Sequence, residues 1–378
     1  MNKNFLHKSL ETPAVFNTRL NALLQQERLP PDSIIGSSHG TAVCSDKMLQ
    51  NLDLLFPDIQ LVGTDDSACR NADFALSWGV AQNRRVENVV NVACESSIPL
   101  YVLENGFIRS ADGWGKGHTE YTQPISFTID RIPYFDVTST PSHLEEMLND
   151  KNLVITPEQK ERARACIDKI VKNHLTKYNH QPIYEPKIGR DGAKKVLIID
   201  QGYNDASITR GRLSDESFEQ MLFTAFDENP DADIIVKTHP DTIRGARSGY
   251  YSGLRTGEDL YVKTEPINPI SLIKYCDEIY VASSQAGFEA LMCGKKVNVF
   301  GVPFYAGWGV TNDRQEFPRR TNKRTVEEIF YIAYILYTYY VHPEKRCRCE
   351  IEDAMEYLLR KRGEFFEILS ALCPNGRW

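Results

Sequence analysis

Short runs of apolar, often β-branched residues alternate with amphipathic stretches along most of the chain. This alternation is typical of βαβ units, in which a helix connects each strand to the next parallel strand. In the first half the pattern predicts strands at Ser33–Gly36, Gln60–Gly63, Phe74–Ser77, Leu100–Leu103, Ser126–Ile129 and Tyr134–Val137, and helices at Asp46–Leu55 and Arg84–Cys94.

The alternation of strands and helices is then interrupted. The sequence predicts two helices, Pro141–Leu148 and Pro157–His174, followed by a loop, Lys177–Gly192, that contains prolines. A second alternating block follows. It predicts strands at Val196–Ile199, Asp233–Lys237, Tyr261–Lys263, Glu278–Ala282 and, as the last, Val297–Phe300. The helices predicted with them are Asp215–Glu228, Pro269–Cys276, Ser284–Cys293, Thr325–Tyr340 and Glu350–Leu372, with Gly294 as a C-cap.

This organisation predicts an α/β protein with two Rossmann-like domains that face a cleft. The expected domains are residues 1–180 and 190–345, followed by a helical return at 346–378. In open parallel sheets, ligands bind at the carboxyl ends of the strands. We therefore expect the catalytic and ligand-binding residues to follow the predicted strands.

Composition narrows the class of protein. The 378 residues are 42% hydrophobic and 25% charged, and the net charge of −7 disfavours a general nucleic-acid binder. No apolar run approaches the roughly 18 residues of a membrane-spanning helix, and the opening residues lack a signal-peptide core. We therefore expect a cytoplasmic protein. The nine scattered cysteines indicate reduced thiols, and the spacing of Cys347 and Cys349 disfavours a metal site.

Two polar clusters follow predicted strands of the second half. The segment Asp200–Ser207 places carboxylates and an amide at the end of a strand. The alternative is that these residues only form a turn, in which Asp, Asn and Gly are common. Asp200 directly follows its strand, so we expect backbone N–H groups to hold its carboxylate and lower its pKa. Lys237 and His239, with Pro240 restraining the histidine, suit a phosphate or nucleoside, with a structural histidine as the alternative.

Two further clusters complete the candidate chemistry. Ser283, Ser284 and Gln285 precede a predicted helix, where hydroxyl and backbone N–H groups bind anions, unless the serine is only an N-cap. Glu104 and Arg109 follow a strand of the first half. Glu104 could act as an acid/base and Arg109 could bind an anion; the alternative is that the segment is an ordinary turn. The chain contains no P-loop string and no GxGxxG after a strand, which disfavours P-loop enzymes and classical dehydrogenases.

Together these segments resemble the bacterial retaining β-Kdo glycosyltransferases of capsule and lipopolysaccharide synthesis. The matching strings occur in family order between residues 96 and 345. They are VLENGFIRS (102–110), PISFTIDRIPYFDVTSTPSHLEEML (124–148), TKYN (176–179), VLIIDQGYNDASI (196–208), ENPDADIIVKTHPD (228–241), INPISLI (267–273) and YVASSQAGFEALMCGKKVNVFGVPFYAGWGVTNDR (280–314).

The resemblance implies a GT-B-like fold that transfers Kdo (3-deoxy-D-manno-octulosonic acid) from CMP-β-Kdo with retention. It implies Asp205 as the nucleophile of a double displacement and Glu104 as the acid/base. The residues implied in donor binding are Gln201, Lys237, His239, Pro240, Ser283, Ser284 and Gln285, with Arg109, Arg210 and Lys237 as partners of the Kdo carboxylate. Asn105 stands where capsule members often carry Asp.

We expect neither a metal nor a cofactor besides the donor, and a glycan or lipid-linked saccharide as acceptor. The alternatives are another CMP-sugar transferase, such as a sialyltransferase-like enzyme, and a non-catalytic glycan-assembly subunit. The basic run 314–324 before the tyrosine-rich segment 331–340 suggests peripheral contact with the inner face of the inner membrane. A solvated loop before a core helix is the other interpretation of that run.

Overall fold

The computed structural model describes residues 10–26, 34, 40–45, 51–113, 119–137, 140–239, 242, 245 and 248–372. The chain forms two compact units. The first unit comprises residues 1–104 and 129–133, and the second comprises residues 105–128 and 134–378. The domain limits predicted at 180 and 345 stay predictions.

The strands are β1 (Gly40–Cys44), β2 (Ile59–Val62), β3 (Phe74–Trp78), β4 (Leu100–Asn105), β5 (Ser126–Asp130), β6 (Lys195–Ile199), β7 (Asp233–Lys237), β8 (Leu260–Lys263), β9 (Glu278–Val281), β10 (Lys296–Val299), β11 (Asn312–Asp313), β12 (Thr338–His342) and β13 (Cys347–Cys349). The helices are α1 (Pro13–Leu24), α2 (Leu52–Leu55), α3 (Arg84–Ser96), α4 (His143–Asn149), α5 (Pro157–Asn173), α6 (Ala206–Thr209), α7 (Asp215–Glu228), α8 (Pro269–Tyr275), α9 (Ala286–Met292), α10 (Val326–Phe330) and α11 (Ile351–Leu372).

The first unit is built on four parallel strands in the order β4-β3-β1-β2. Its core packs strand residues against α1 and α3. Helix α3 begins at Asn83, whose side chain accepts hydrogen bonds from the N–H groups of Arg85 (3.0 Å) and Val86 (3.1 Å). The buried face of α3 carries Val86, Val89, Val90 and Ala93, at the spacing of an amphipathic helix.

The second unit contains a six-stranded parallel sheet in the order β11-β10-β9-β6-β7-β8. Alternate residues of β6 enter two different cores: Leu197 and Ile199 pack in one, Val196 and Ile198 in the other. Because helices cover both faces, the central strands β6, β7 and β9 are buried at every position, and their inner residues form unbroken apolar runs rather than alternating with polar ones. This explains the continuous apolar runs from which the strands were predicted.

Most predicted elements are confirmed to within about two residues, and Gly294, with a φ of +72°, ends α9 as expected. The predicted strand Ser33–Gly36 and the first part of the predicted helix Asp46–Leu55 lie outside the described residues, apart from Ile34. Strand β1 and helix α1 were not predicted.

Three predictions of secondary structure were wrong. The segment Tyr134–Val137 forms a turn, in which Val137 donates its N–H to the Arg210 carbonyl. The predicted helix Thr325–Tyr340 ends early: α10 continues as a π-helical turn, Tyr331–Leu336, and the chain then extends into β12. Strand β12 pairs antiparallel with β5 and β13, so Val297–Phe300 is not the last strand. Here the pairing of β12 with β5 overrides the helical pattern of the local sequence. Residues Thr338–Tyr340 can follow it because Thr and Tyr also have a high propensity for strands.

A buried arginine organises the glycine-rich segment 301–309. Arg320 donates hydrogen bonds of 2.6 Å to the carbonyls of Pro303 and Ala306, and it lies 3.3 Å from Oε2 of Glu145. Its guanidinium also packs over the ring of Trp308. Charge-assisted bonds from Arg320 therefore help to hold the glycine-rich segment in place.

We expect Arg320→Met to lower the free energy of unfolding by about 3 kcal/mol or more, because it leaves Glu145 and two carbonyls without their buried donor. Arg319→Met is the matched control. Arg319 also bonds Glu145 (2.8 Å), but its side chain is 34% exposed, so its loss should cost about 1 kcal/mol or less. Urea denaturation measures both variants, and equal losses would contradict the assignment.

Candidate active site

The strand order of the second sheet reverses at β6. From β6 the chain moves outward to β7 and β8, whereas β9 returns to the opposite side of β6. Ile199 lies in register with Lys237 of β7 and with Val281 of β9. The loops after these three strands therefore start at the same edge of the sheet. They lie on both sides of the point where the strand order reverses, the topological switch point, at which sheets of this kind bind ligands.

Gln201 and Ser283 join the loops on the two sides of the switch point. The Gln201 carbonyl oxygen Oε1 accepts a hydrogen bond from the N–H of Ser283 (2.8 Å). Its amide nitrogen Nε2 donates to Oγ of Ser283 (3.1 Å). The structure thus brings together two residues predicted to serve the donor, although they are far apart in the chain.

Ser284 and Gln285 complete the loop that leads into α9. Oγ of Ser284 accepts a hydrogen bond from the N–H of Ala286 (3.3 Å), while the N-cap residue of α9 is Gln285, whose side chain makes no capping bond. Gln285 donates its amide N–H groups to the Phe107 carbonyl (2.8 Å) and to Oε1 of Glu289 (3.4 Å). Its own Oε1 is buried and accepts no hydrogen bond from the described residues.

Sequence reasoning missed Glu289. Burial raises the pKa of this carboxyl to about 8, so at neutral pH it is largely protonated. It lies on α9, four residues after Gln285, and bonds that side chain. An acidic residue within the apolar string FEALM was the available signal.

The prediction of a lowered pKa for Asp200 was wrong. Its Oδ1 does accept hydrogen bonds from the N–H groups of Gln201 (2.9 Å) and Tyr250 (3.0 Å). Its Oδ2, however, is buried without a hydrogen bond from the described residues, and a Cβ added at Gly249 would overlap it. Burial therefore outweighs the hydrogen bonds and raises the pKa to about 6.

Lys237 is buried at the end of the neighbouring strand β7. Nζ donates a hydrogen bond to the Thr238 carbonyl (3.1 Å). Burial, followed by the positive charge of Lys263, lowers its pKa to about 8, while Asp200 acts in the opposite direction. His239 is half-buried two residues further on, and Pro240 lies outside the described residues. A buried ammonium with one acceptor among the described residues is suited to an anionic ligand.

Asp205 is half-buried and acts as the N-cap of the short helix α6. Its Oδ1 accepts hydrogen bonds from the N–H (3.0 Å) and Oγ (2.7 Å) of Ser207. Asn204, with a φ of +58°, turns the chain just before it. The turn role considered from the sequence is therefore present, and the nucleophile role stays a prediction.

The residues predicted from the VLENGFIRS string lie in different surroundings. Glu104 ends the first unit, half-buried, and a Cβ at Gly79 would lie 3.3 Å from its Oε1. Arg109, in the second unit, is 2% exposed and donates to Oδ1 of Asn105 (2.7 Å) and to the Thr122 carbonyl (2.8 Å). Burial lowers its pKa to about 10.

Both arginines predicted to meet the Kdo carboxylate have protein partners. Arg109 also donates to Oγ of Ser110 (2.8 Å), and Arg210 forms an ion pair with the buried carboxylate of Asp136. Asn105, which replaces the acid often found in the family, accepts a bond from Arg109. A carboxylate of a ligand would therefore have to compete with, or add to, these bonds.

No three His, Cys, Asp or Glu side chains among the described residues are grouped so that they could hold a metal ion. The donor half does contain a DxD string, Asp231-Ala232-Asp233, which sequence reasoning overlooked. Asp233 begins β7, at the opposite end from Lys237, and pairs with Lys195 (2.7 Å) and Arg190 (2.8 Å).

The basic run 314–324 bonds largely to the protein itself. Arg314 pairs with Glu228 (2.7 Å), and Arg319 and Arg320 pair with Glu145. Arg324 donates to backbone carbonyls, including that of Asp150 (2.6 Å). Membrane contact through this run stays a prediction. Within the described part of the chain, no helix combines the length and apolarity needed to cross a bilayer.

Comparison with known proteins now identifies the family. Residues 75–343 match the family described as capsule polysaccharide biosynthesis protein. The chain belongs to this family. It is 36% identical over 313 residues to the capsule polysaccharide modification protein LipA of Neisseria meningitidis, covering 79% of this chain and 44% of LipA. It is 35% identical over 302 residues to the lipopolysaccharide-processing protein LpsZ of Rhizobium meliloti, covering 79% and 67%. The chain thus spans less than half of LipA.

Two solved structures from Thermosulfurimonas dismutans are similar over most of their length. The KpsC β-Kdo 2,4 transferase matches with 33% identity and a TM-score of 0.76, covering 85% of this chain and 98% of that one. The KpsC β-Kdo 2,7 transferase matches with 26% identity and a TM-score of 0.62, covering 85% and 99%. These matches confirm the resemblance read from the sequence and the α/β, GT-B-like fold class.

Asp200→Asn should raise the free energy of unfolding at pH 7.5 by about 1–2 kcal/mol, because it removes a buried charge while leaving an acceptor for Gln201 and Tyr250. The folded-state pKa of about 6 lies above the ordinary value of 3.8. Wild-type stability should therefore fall as pH rises towards 6, and the advantage of the variant should shrink towards pH 4. Urea denaturation at several pH values measures this, and a pH-independent loss of stability in the variant would contradict it.

Proposed function

We propose that the protein is a retaining glycosyltransferase that moves Kdo from CMP-β-Kdo to a glycan or glycolipid acceptor in capsule or lipopolysaccharide assembly. The observation that carries this proposal is the 33% identity to the KpsC β-Kdo 2,4 transferase over 98% of that chain, with a TM-score of 0.76. The greater similarity to the 2,4 than to the 2,7 transferase favours a 2,4 linkage.

The donor would bind at the switch point of the second sheet. The phosphate of CMP would meet Ser283, Ser284 and the ammonium of Lys237, with His239 beside it. The buried position of Lys237, with a pKa of about 8, supports this assignment, because an anion would stabilise its charged form. Gln201 would hold Ser283 in place through their two hydrogen bonds.

Retention is explained by two displacements at the same carbon. The Asp205 carboxylate would attack the anomeric carbon of Kdo, and CMP would leave with the bonding electrons. An acceptor hydroxyl, deprotonated by Glu104, would then attack that carbon and release Asp205. Glu104 is proposed from its position in the VLENGFIRS string. The reaction would occur at the cytoplasmic side, where nucleotide sugars are available.

The deciding experiment combines the protein with CMP-Kdo and a panel of synthetic saccharide acceptors. A β-linked product, with its linkage assigned by NMR, is the expected result. CMP-sialic acid is the parallel donor. Its use in place of CMP-Kdo would favour a different CMP-sugar transferase, and release of CMP from neither donor would favour a non-catalytic assembly subunit.

Asp205→Asn should abolish transfer while leaving CMP affinity unchanged. Asparagine is as good an N-cap as aspartate, so helix α6 should be retained. With CMP-Kdo and no acceptor, intact-mass spectrometry of the wild type should reveal a Kdo adduct that peptide mapping assigns to Asp205. The control is Asp200→Asn, which should still form the adduct. An adduct on Asp200, or full activity of Asp205→Asn, would overturn the assignment.

Transfer should proceed without a divalent metal, because Lys237, His239 and the Ser283–Ser284 loop supply donors and positive charge for the phosphate. Activity measured in EDTA should equal that in Mg²⁺. An activity that EDTA abolishes and Mg²⁺ restores would contradict this expectation.

A further inference from the structure

Three aromatic rings form a stack beside Asp205. The rings of Tyr250 and Phe218 are parallel, with centroids 3.7 Å apart and an interplanar angle of 1°. The ring of Tyr203 packs against this parallel pair at a tilt, with its centroid 5.2 Å from that of Tyr250 and an interplanar angle of 50°. Tyr203 is the outer member of this aromatic stack and remains 44% exposed, whereas Phe218 is 1% exposed.

The stack is held firmly at its outer end. Tyr203 donates its N–H to the Ser248 carbonyl (2.7 Å), and Gly202 and Gly249 form a β-bridge beside it. Tyr250 donates its N–H to Oδ1 of Asp200 (3.0 Å). Tyr203 is therefore an exposed aromatic ring whose backbone and inner contact are both fixed, which is the form of a preorganised contact surface.

The aromatic stack is connected to Asp205 by one short turn of the chain. Tyr203 and Asp205 are separated only by Asn204, whose left-handed backbone makes the turn between them. The exposed ring of Tyr203 and the carboxylate of Asp205 therefore belong to residues on the two sides of a single turn.

We propose that the exposed face of Tyr203 packs against the ring of the sugar that Asp205 receives, and so positions its anomeric carbon for attack. The inference rests on the proposed function. Sugar rings carry faces of C–H groups, and these fit the electron-rich face of an aromatic ring. The transferred sugar is the occupant because it must contact Asp205 to be attacked, whereas the nucleotide is assigned to the loops after β7 and β9.

The test compares Tyr203→Ala, Tyr203→Phe and Phe223→Ala. Phe223 is 65% exposed on α7 and is the control for loss of a surface ring. With CMP-Kdo and no acceptor, Tyr203→Ala should lower kcat/KM for donor hydrolysis about tenfold, the effect of a stacking contact of about 1.4 kcal/mol. Tyr203→Phe and Phe223→Ala should behave as the wild type, and CMP affinity by calorimetry should be the same in all.

Each contrary result is distinct. A Tyr203→Ala protein with unchanged donor hydrolysis but a raised KM for the acceptor would assign the ring to the acceptor and overturn the inference. Weakened CMP binding would assign it to the cytosine base, with the same consequence. A wild-type protein that never turns over CMP-Kdo contradicts the proposed function and the inference together, whereas wild-type turnover that Tyr203→Ala leaves unaffected contradicts the inference alone.

Discussion

The candidate site depends on the in-register parallel pairing of β6 with β7 on one side and β9 on the other. Ile199 is level with both Lys237 and Val281, so the three loops that follow begin at one edge of the sheet. The hydrogen bonds between Gln201 and Ser283 then tie two of these loops together. A shift of one residue in either pairing would turn every side chain of that strand to the other core.

The same edge carries charges that the fold makes unfavourable. Burial raises the pKa of Asp200 to about 6 and lowers that of Lys237 to about 8, so each group is held with its charged form disfavoured. Structural ion pairs elsewhere in this unit behave differently: Lys195 and Arg190 hold the pKa of Asp233 below its usual range, although burial opposes them. Charges kept at a cost in stability are enriched at functional sites, which supports the proposal that the donor binds at these strand ends.

Much of the fold could be predicted because the pattern of β6, β7 and β9 is local: three or four consecutive apolar residues followed by polar ones. Candidate site residues could be named for the same reason, since Lys237 and Ser283 each directly follow such a run. Glu289 was missed because an acidic residue in an apolar string is a weak signal, and only the burial around it shows that its pKa is raised. The helix predicted over 325–340 failed because its last residues pair with β5, some 210 positions earlier in the chain.

The sequence by itself determined the α/β class, the positions of most strands and helices, and the residue types at the strand ends. Only the tertiary structure decided the strand order, the direction of the Asp200 pKa, the pairing of Arg210 with Asp136, and the exposure of Tyr203 beside Asp205. Apolar periodicity and turn chemistry act between near neighbours and are written in consecutive residues. Desolvation and hydrogen-bond partners are set by groups brought together from distant parts of the chain.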